Sequence, residues 1–228
     1  MAGRSMWHLF QFPLCPFSRK VRLLMGEKGV GYELVRENPW ERRDEFLDLN
    51  PAGQTPVVID RARNITLMSS TAVCEYFEET VDKAPMISGT AVNRAEIRRL
   101  TAWFDEQFYG NVVAPLMHER MIKRILHRTA PDAGMLREAM KNANQLIDYT
   151  DYLLDHHNWL AGATLSMADL AAAAHISVAD YLGGIDWRGH EQTKGWYSGL
   201  KSRPSFRPLL SERMENVAPP VYYDKVDF

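Results

Sequence analysis

Pro13-Leu14-Cys15-Pro16-Phe17-Ser18-Arg19-Lys20-Val21-Arg22 is the stretch whose reading decides the fold. Before it, Trp7–Phe12 is a short apolar run that reads as a strand. After it, Val21, Leu24 and Met25 recur at helical spacing with basic residues between them. Cys15 therefore stands where a strand turns into a helix. Pro16 fits the first helical position, where its missing N–H costs nothing and its fixed φ is already helical. A thiol at that point faces unpaired backbone N–H groups and the positive end of the helix dipole, and both favour the thiolate. Two readings stay open on these residues alone: a reactive thiol, or a small half-buried cysteine that caps a helix and does no chemistry.

Outward from this junction, strands and helices alternate. Pro16–Lys28 reads as a helix closed by Gly29 to Gly31, and Tyr32–Val35 as a second strand. Glu41–Leu49 reads as a short, charged, irregular helix ended by Asn50-Pro51-Ala52-Gly53. Pro56–Asp60 and Ile65–Met68 flank the turn Arg61-Ala62-Arg63-Asn64, a hairpin signal. Ser70–Thr80 follows as a helix with Ala72, Val73, Tyr76 and Phe77 on one face. The order β-α-β-α-β-β-α predicts a small α/β domain over residues 6–83, with two parallel strands and an antiparallel hairpin in one sheet.

Residues 82–90 lose any period and read as a linker, and beyond them strand signals vanish. Leu100, Trp103, Phe104, Phe108 and Val112 give a long helix one apolar face, with a kink or break expected at Pro115. Residues 135–156 form a second amphipathic helix, and Ser166–Tyr181 is apolar nearly all round, the mark of a central buried helix. Its start is signed by Ser166 as N-cap and Asp169 three residues on. Shorter helices are expected at 193–202 and from Phe206 to about Met214. The predicted fold class is thus α/β plus all-α: an α/β domain at 6–83, a helical bundle at 91–214 and an extended tail at 215–228.

Composition narrows function mainly by exclusion. The chain has 228 residues and a formal net charge of −2, which gives no global attraction to nucleic acid or an anionic membrane. No apolar run approaches the length of a membrane span, and no stretch reads as a secretory leader. The two cysteines, Cys15 and Cys74, make no disulfide framework in a chain of this size, so a cytoplasmic setting is expected. Cys74 lies between Val73 and Tyr76 and reads as core. The histidines, including His118, His127, His156 and His157, lack metal-ligand spacing, and no metal site is expected.

Three features stand outside the core pattern. Arg120, Lys123, Arg124, His127 and Arg128 form a basic helix face, ordinarily a solvated one, that as a binding surface would suit an acidic partner. Trp40 sits in a charged loop, either as an exposed interface anchor or folded beneath it. The tail carries Tyr222, Tyr223, Val226 and Phe228 after Pro219-Pro220, with Asp227 between the last two apolar residues. Pro-Pro forces an extended start, and so apolar a tail either packs back on its own body or is presented to a partner.

Four segments in order resemble the glutathione transferase superfamily: Cys15-Pro16-Phe17-Ser18, Asn50–Pro56, Leu67–Val73 and Gly162–Asp169. The resemblance spans about Trp7 to Leu210. It implies a thioredoxin-like N-terminal domain followed by the family's helical bundle. It also implies glutathione as cofactor, with Thr55 before a cis Pro56 meeting its cysteinyl backbone, and Ser69 and Ser70 standing at the positions that meet its γ-glutamyl end. Cys15 would be the sulfur that acts, with Ser18 the weaker candidate, while Ser166 and Asp169 match a structural capping motif. This sequence departs from the family at Ser69, where glutathione-binding members usually carry Glu or Gln. The shorter side chain forfeits a hydrogen bond to a charged group, worth roughly 1.5–3 kcal/mol. That loss, with the aromatic tail and the basic helix, resembles a bacterial cell-division branch of the superfamily. The branch implies a cytoplasmic homodimer that binds the tubulin-like polymer FtsZ through a surface containing Trp40, Arg124, Tyr222, Tyr223, Asp227 and Phe228. The alternative is an enzyme, a Cys-type glutathione transferase or thiol oxidoreductase using Cys15.

Overall fold

The computed structural model describes residues 6–226, and its backbone divides between Pro85 and Met86 into two compact units. In the first, strands β1 (Trp7–Gln11), β2 (Tyr32–Arg36), β3 (Val57–Asp60) and β4 (Ile65–Met68) form one sheet in the order β2-β1-β3-β4. β1 and β2 run parallel, as a helical crossover requires; β1–β3 and β3–β4 are antiparallel. The crossover is α1 (Pro16–Lys28), and α2 (Asp44–Leu49) and α3 (Ser70–Thr80) complete the unit.

Register explains which residues reach which face. Phe10 pairs with Val57 and His8 with Ile59, so Phe10, Val57 and Ile59 share a face and pack with Phe46 and Leu49 of α2. Trp7 points the other way and meets Phe77 of α3 edge-on at 5.2 Å. The far ends of α1 and α3 are joined by Lys28, whose buried Nζ lies 2.9 Å from Glu78 and donates to the carbonyl of Val81 at 2.8 Å.

The second unit is helical: α4 (Ala91–Trp103), α5 (Ala114–Met117), α6 (Ala133–His156), α7 (Met167–Tyr181), α8 (Glu191–Lys201) and the short α9 (Arg207–Leu210). The break expected at Pro115 does not occur. The chain stays helical from Ala91 to His127, with π-helical stretches at Phe104–Val113 and His118–His127 on either side of α5. A wider turn tolerates a residue that cannot donate an N–H, because the register shifts around it. The helix expected from Phe206 to Met214 is also shorter than its pattern, since the Met214 N–H leaves the helix to donate to the Tyr181 hydroxyl at 2.8 Å.

All fifteen residues of α7 are buried, as its all-round apolar pattern predicts. Asp169 holds its start. One carboxylate oxygen accepts from Ser166 N and Oγ at 2.9 and 2.8 Å; the other accepts from Leu160 N at 2.9 Å and Trp196 Nε1 at 3.0 Å. Burial pushes the Asp169 carboxyl up, against the pull of those four donors. Its reach to Leu160 and α8 makes it a hub of the helical unit as well as a cap.

Candidate functional site

The sheet unit gathers the positions that the sequence motifs single out. Cys15 is the N-cap of α1 in an extended conformation, buried, and its Sγ accepts from Ser18 N at 3.5 Å. The same sulfur donates to the carbonyl of Thr55 at 3.5 Å, forty positions along the chain. The Thr55–Pro56 bond is cis. Val57 opposes Met68 in the hairpin, so Pro56 and Ser69, one step beyond each, come to the same end of it. Ser69 precedes α3 with φ 70°, a left-handed conformation that non-glycine residues rarely adopt. Its side chain makes no capping bond and is exposed, while Ser70, the first residue of the helix, is buried.

Ser18 is neither a surface residue nor a backbone-bonding one. Its side chain is fully buried, and its Oγ has no hydrogen-bond partner among the described residues. Cys74 is core, as expected, at 3% exposure. Trp40 lies in a one-turn 3₁₀ helix, Pro39–Glu41, half-buried and edge-on to Phe12 at 5.1 Å. It is thus folded partly under its loop, with one side left open.

In the helical unit the basic face is smaller than its sequence. Lys123 Nζ pairs with the buried carboxylate of Glu119 at 2.7 Å. Arg120 Nη1 donates to the carbonyls of Leu182 and Gly183, at the C-terminal end of α7. Arg128 caps the π-helical stretch at φ 51° and leaves the face. Arg124 remains exposed, with no hydrogen bond or ion pair among the described residues.

The tail packs back on its own unit. The Tyr181 hydroxyl donates to Val217 O at 2.8 Å while accepting from Met214 N. Tyr223 is fully buried, edge-on to Tyr181 at 5.1 Å, with Lys201 Nζ 5.8 Å from its ring. Tyr222 is half-buried beside Asp186, Trp187 and Lys194 in a concavity of about 340 Å³. Burial and the nearby Asp180 push its phenol up to about 12, so it stays neutral. Val221 stands 87% exposed. Asp227 and Phe228 lie outside the described residues.

Sequence spacing missed one cluster. Asp148, Asp151 and His190 bring their ligand-type atoms within 4.8 Å of one another. Asp151 accepts from Thr193 N and Oγ at 2.8 and 2.7 Å and from His190 Nδ1 at 2.8 Å, which makes the group the cap of α8. No local signal could have found it, because its members stand 39 and 42 positions apart. Arg120 was legible only as a charge, although Gly183-Gly184 after an Ala-rich helix is a C-terminal signal that a partner could approach.

Residues 14–80 match the family described as Glutathione S-transferase, N-terminal domain. FtsZ-localized protein A of Caulobacter vibrioides is 42% identical over 222 residues, 96% of this chain and 97% of that one. This chain belongs to the glutathione transferase superfamily. Among solved structures, FzlA from C. crescentus superposes with a TM-score of 0.95 at 42% identity, covering 98% of this chain and all of that one. A glutathione S-transferase from Sinorhizobium meliloti 1021 gives 0.92 at 44% identity with the same coverage. The thioredoxin-like unit followed by a helical unit is therefore the superfamily's architecture, and likeness to an FtsZ-localized member extends over nearly the whole chain.

Proposed function

We propose that this chain is a cell-division protein of glutathione transferase fold that binds FtsZ filaments and lacks efficient transferase activity. The observation that carries the reading is the 42% identity to FtsZ-localized protein A over 97% of that protein. Two features of the sheet unit support it. Ser69 supplies no carboxylate at the position where glutathione-binding members carry Glu or Gln, and the Thr55 carbonyl already accepts from the Cys15 thiol. In this reading residues 6–83 and 91–214 are scaffold, and partner contact falls to Trp40, Arg124 and the tail 215–228. Tyr222 reaches the surface there. Tyr223 acts by anchoring, since it is fully buried, and Asp227 and Phe228 are assigned to partner contact from the sequence. The protein works in the cytoplasm as a homodimer, so two copies of the surface engage one polymer and raise avidity without new contacts. The direct test is co-sedimentation of the full chain with GTP-polymerised FtsZ. Enrichment in the pellet is expected, and an empty pellet overturns the reading.

A second reading keeps the enzyme. The Ser18 N–H is directed at Cys15 Sγ at the head of α1, which orients the sulfur that such chemistry would use. Retention on immobilised glutathione, with thiol-exchange activity abolished by Cys15→Ser, would establish it; failure of both would end it.

A further inference from the structure

We infer that the concavity between the helix stretch carrying Arg120 and Arg124 and the start of the tail binds a short acidic peptide segment. A carboxylate would sit between the two guanidiniums and an aliphatic side chain against Leu182 and Val217. The inference rests on the FtsZ-binding reading only for whose segment it is.

The concavity measures about 380 Å³, within the range of small-ligand sites. Its charged lining is Glu119, Arg120 and Arg124. Glu119 is already matched by Lys123 at 2.7 Å and by the Asp132 N–H at 2.6 Å. The two arginines have no carboxylate partner among the described residues, and the site is left with a positive excess. Arg120 is also held in place. Its Nη1 is fixed on the carbonyls of Leu182 and Gly183, while the residue lines the concavity with no other hydrogen bond among the described residues. Gly183 permits that approach: its φ is +64°, and a Cβ there would meet Arg120 Nη1 at 2.9 Å and Pro220 of the tail at 3.4 Å. A fork with one arm anchored loses little freedom on closing over a carboxylate, the geometry for which arginine is suited.

Burial pulls the Arg120 guanidinium below the usual arginine range, with Tyr222 acting the other way. The acceptors it already has are neutral carbonyls, so an incoming carboxylate would add the first full opposite charge. Around the arginines, Leu182 and Val217 provide apolar wall and Thr129 a hydroxyl. Charge complementarity with an apolar floor therefore selects an acidic–aliphatic segment over a basic, purely apolar or nucleic-acid ligand.

Fluorescence anisotropy of the full chain with a fluorescein-labelled Asp-Leu-Glu-Asp amide peptide, against its Asn-Leu-Gln-Asn twin, tests this. The acidic probe is expected to bind at least about tenfold tighter than the twin and to weaken as salt rises. Arg124→Glu should remove at least about tenfold of that affinity while leaving thermal unfolding unchanged, since its side chain is exposed and unpartnered. Equal affinity for the twins, absence of binding, or an indifferent Arg124→Glu each overturns the inference. FtsZ co-sedimentation, run in parallel, separates the two readings. A chain that pellets with FtsZ but ignores the probe loses this pocket and keeps its function. A chain that binds the probe but not FtsZ keeps the pocket and loses that partner.

Discussion

The Cys15 region and the Arg120–tail region are built from similar parts and differ in what they leave unengaged. Around Cys15 lie the positions that the family resemblance assigns to glutathione: the cis Thr55–Pro56 bond, the left-handed Ser69 and the helix opening at Ser70. Yet its functional atoms are directed at one another, thiol to Thr55 carbonyl and Ser18 N–H to thiol. Around Arg120 no inherited motif stands out, but a guanidinium is fixed at one arm and open at the other, with exposed Arg124 beside it. An inherited backbone geometry marks ancestry. Charges held in position without an opposite charge mark where binding energy is still available.

That contrast can be broken at either end. The largest effect is expected from Tyr223→Ala, which empties a fully buried site between Tyr181 and Lys201. It should cost about 3 kcal/mol or more in urea unfolding and should weaken FtsZ pelleting by loosening the tail. Retained stability would mean that the tail is merely laid on the surface. Next in size is Ser69→Glu, which supplies the carboxylate that the family resemblance implies, at an exposed position just before α3. Glutathione affinity by calorimetry should rise about ten- to a hundredfold, with FtsZ pelleting unchanged. No gain would place the obstacle at Cys15 and Thr55 instead. Smallest is Cys15→Ser. Serine is a good N-cap, so stability should shift by less than about 1 kcal/mol and pelleting should be unaffected, while reaction with a thiol reagent falls to the level of Cys74 alone. Lost pelleting would return function to the cysteine.

The fold was legible wherever local pattern and tertiary packing agree. The strand–helix junction at Cys15, the hairpin around Arg61–Asn64 and the all-buried α7 follow from periodicity and turn chemistry. Pattern failed where a distant contact decides. Pro115 sits within a continuous helical path because the turns on both sides widen. The helix after Phe206 stops early because Tyr181, 33 residues upstream, takes the Met214 N–H. The basic face counted five basic residues in sequence, but Glu119 holds Lys123 and the end of α7, 62 residues away, holds Arg120. Charge is a local property of sequence, whereas its availability is set by the neighbours that folding supplies.

The Tyr181 hydroxyl, bonded both to Met214 N and to Val217 O, has a mechanical consequence. Tyr181 ends a helix whose residues are all buried, so a pull on the tail reaches that helix after the outer holds, the packing of Tyr223 and the Asp224–Arg213 ion pair, have given way. A protein attached through such a tail to a filament that bends or slides would bear the remaining load at its core. These two hydrogen bonds would be the inner hold, released after the outer ones and before the helical unit itself gives way.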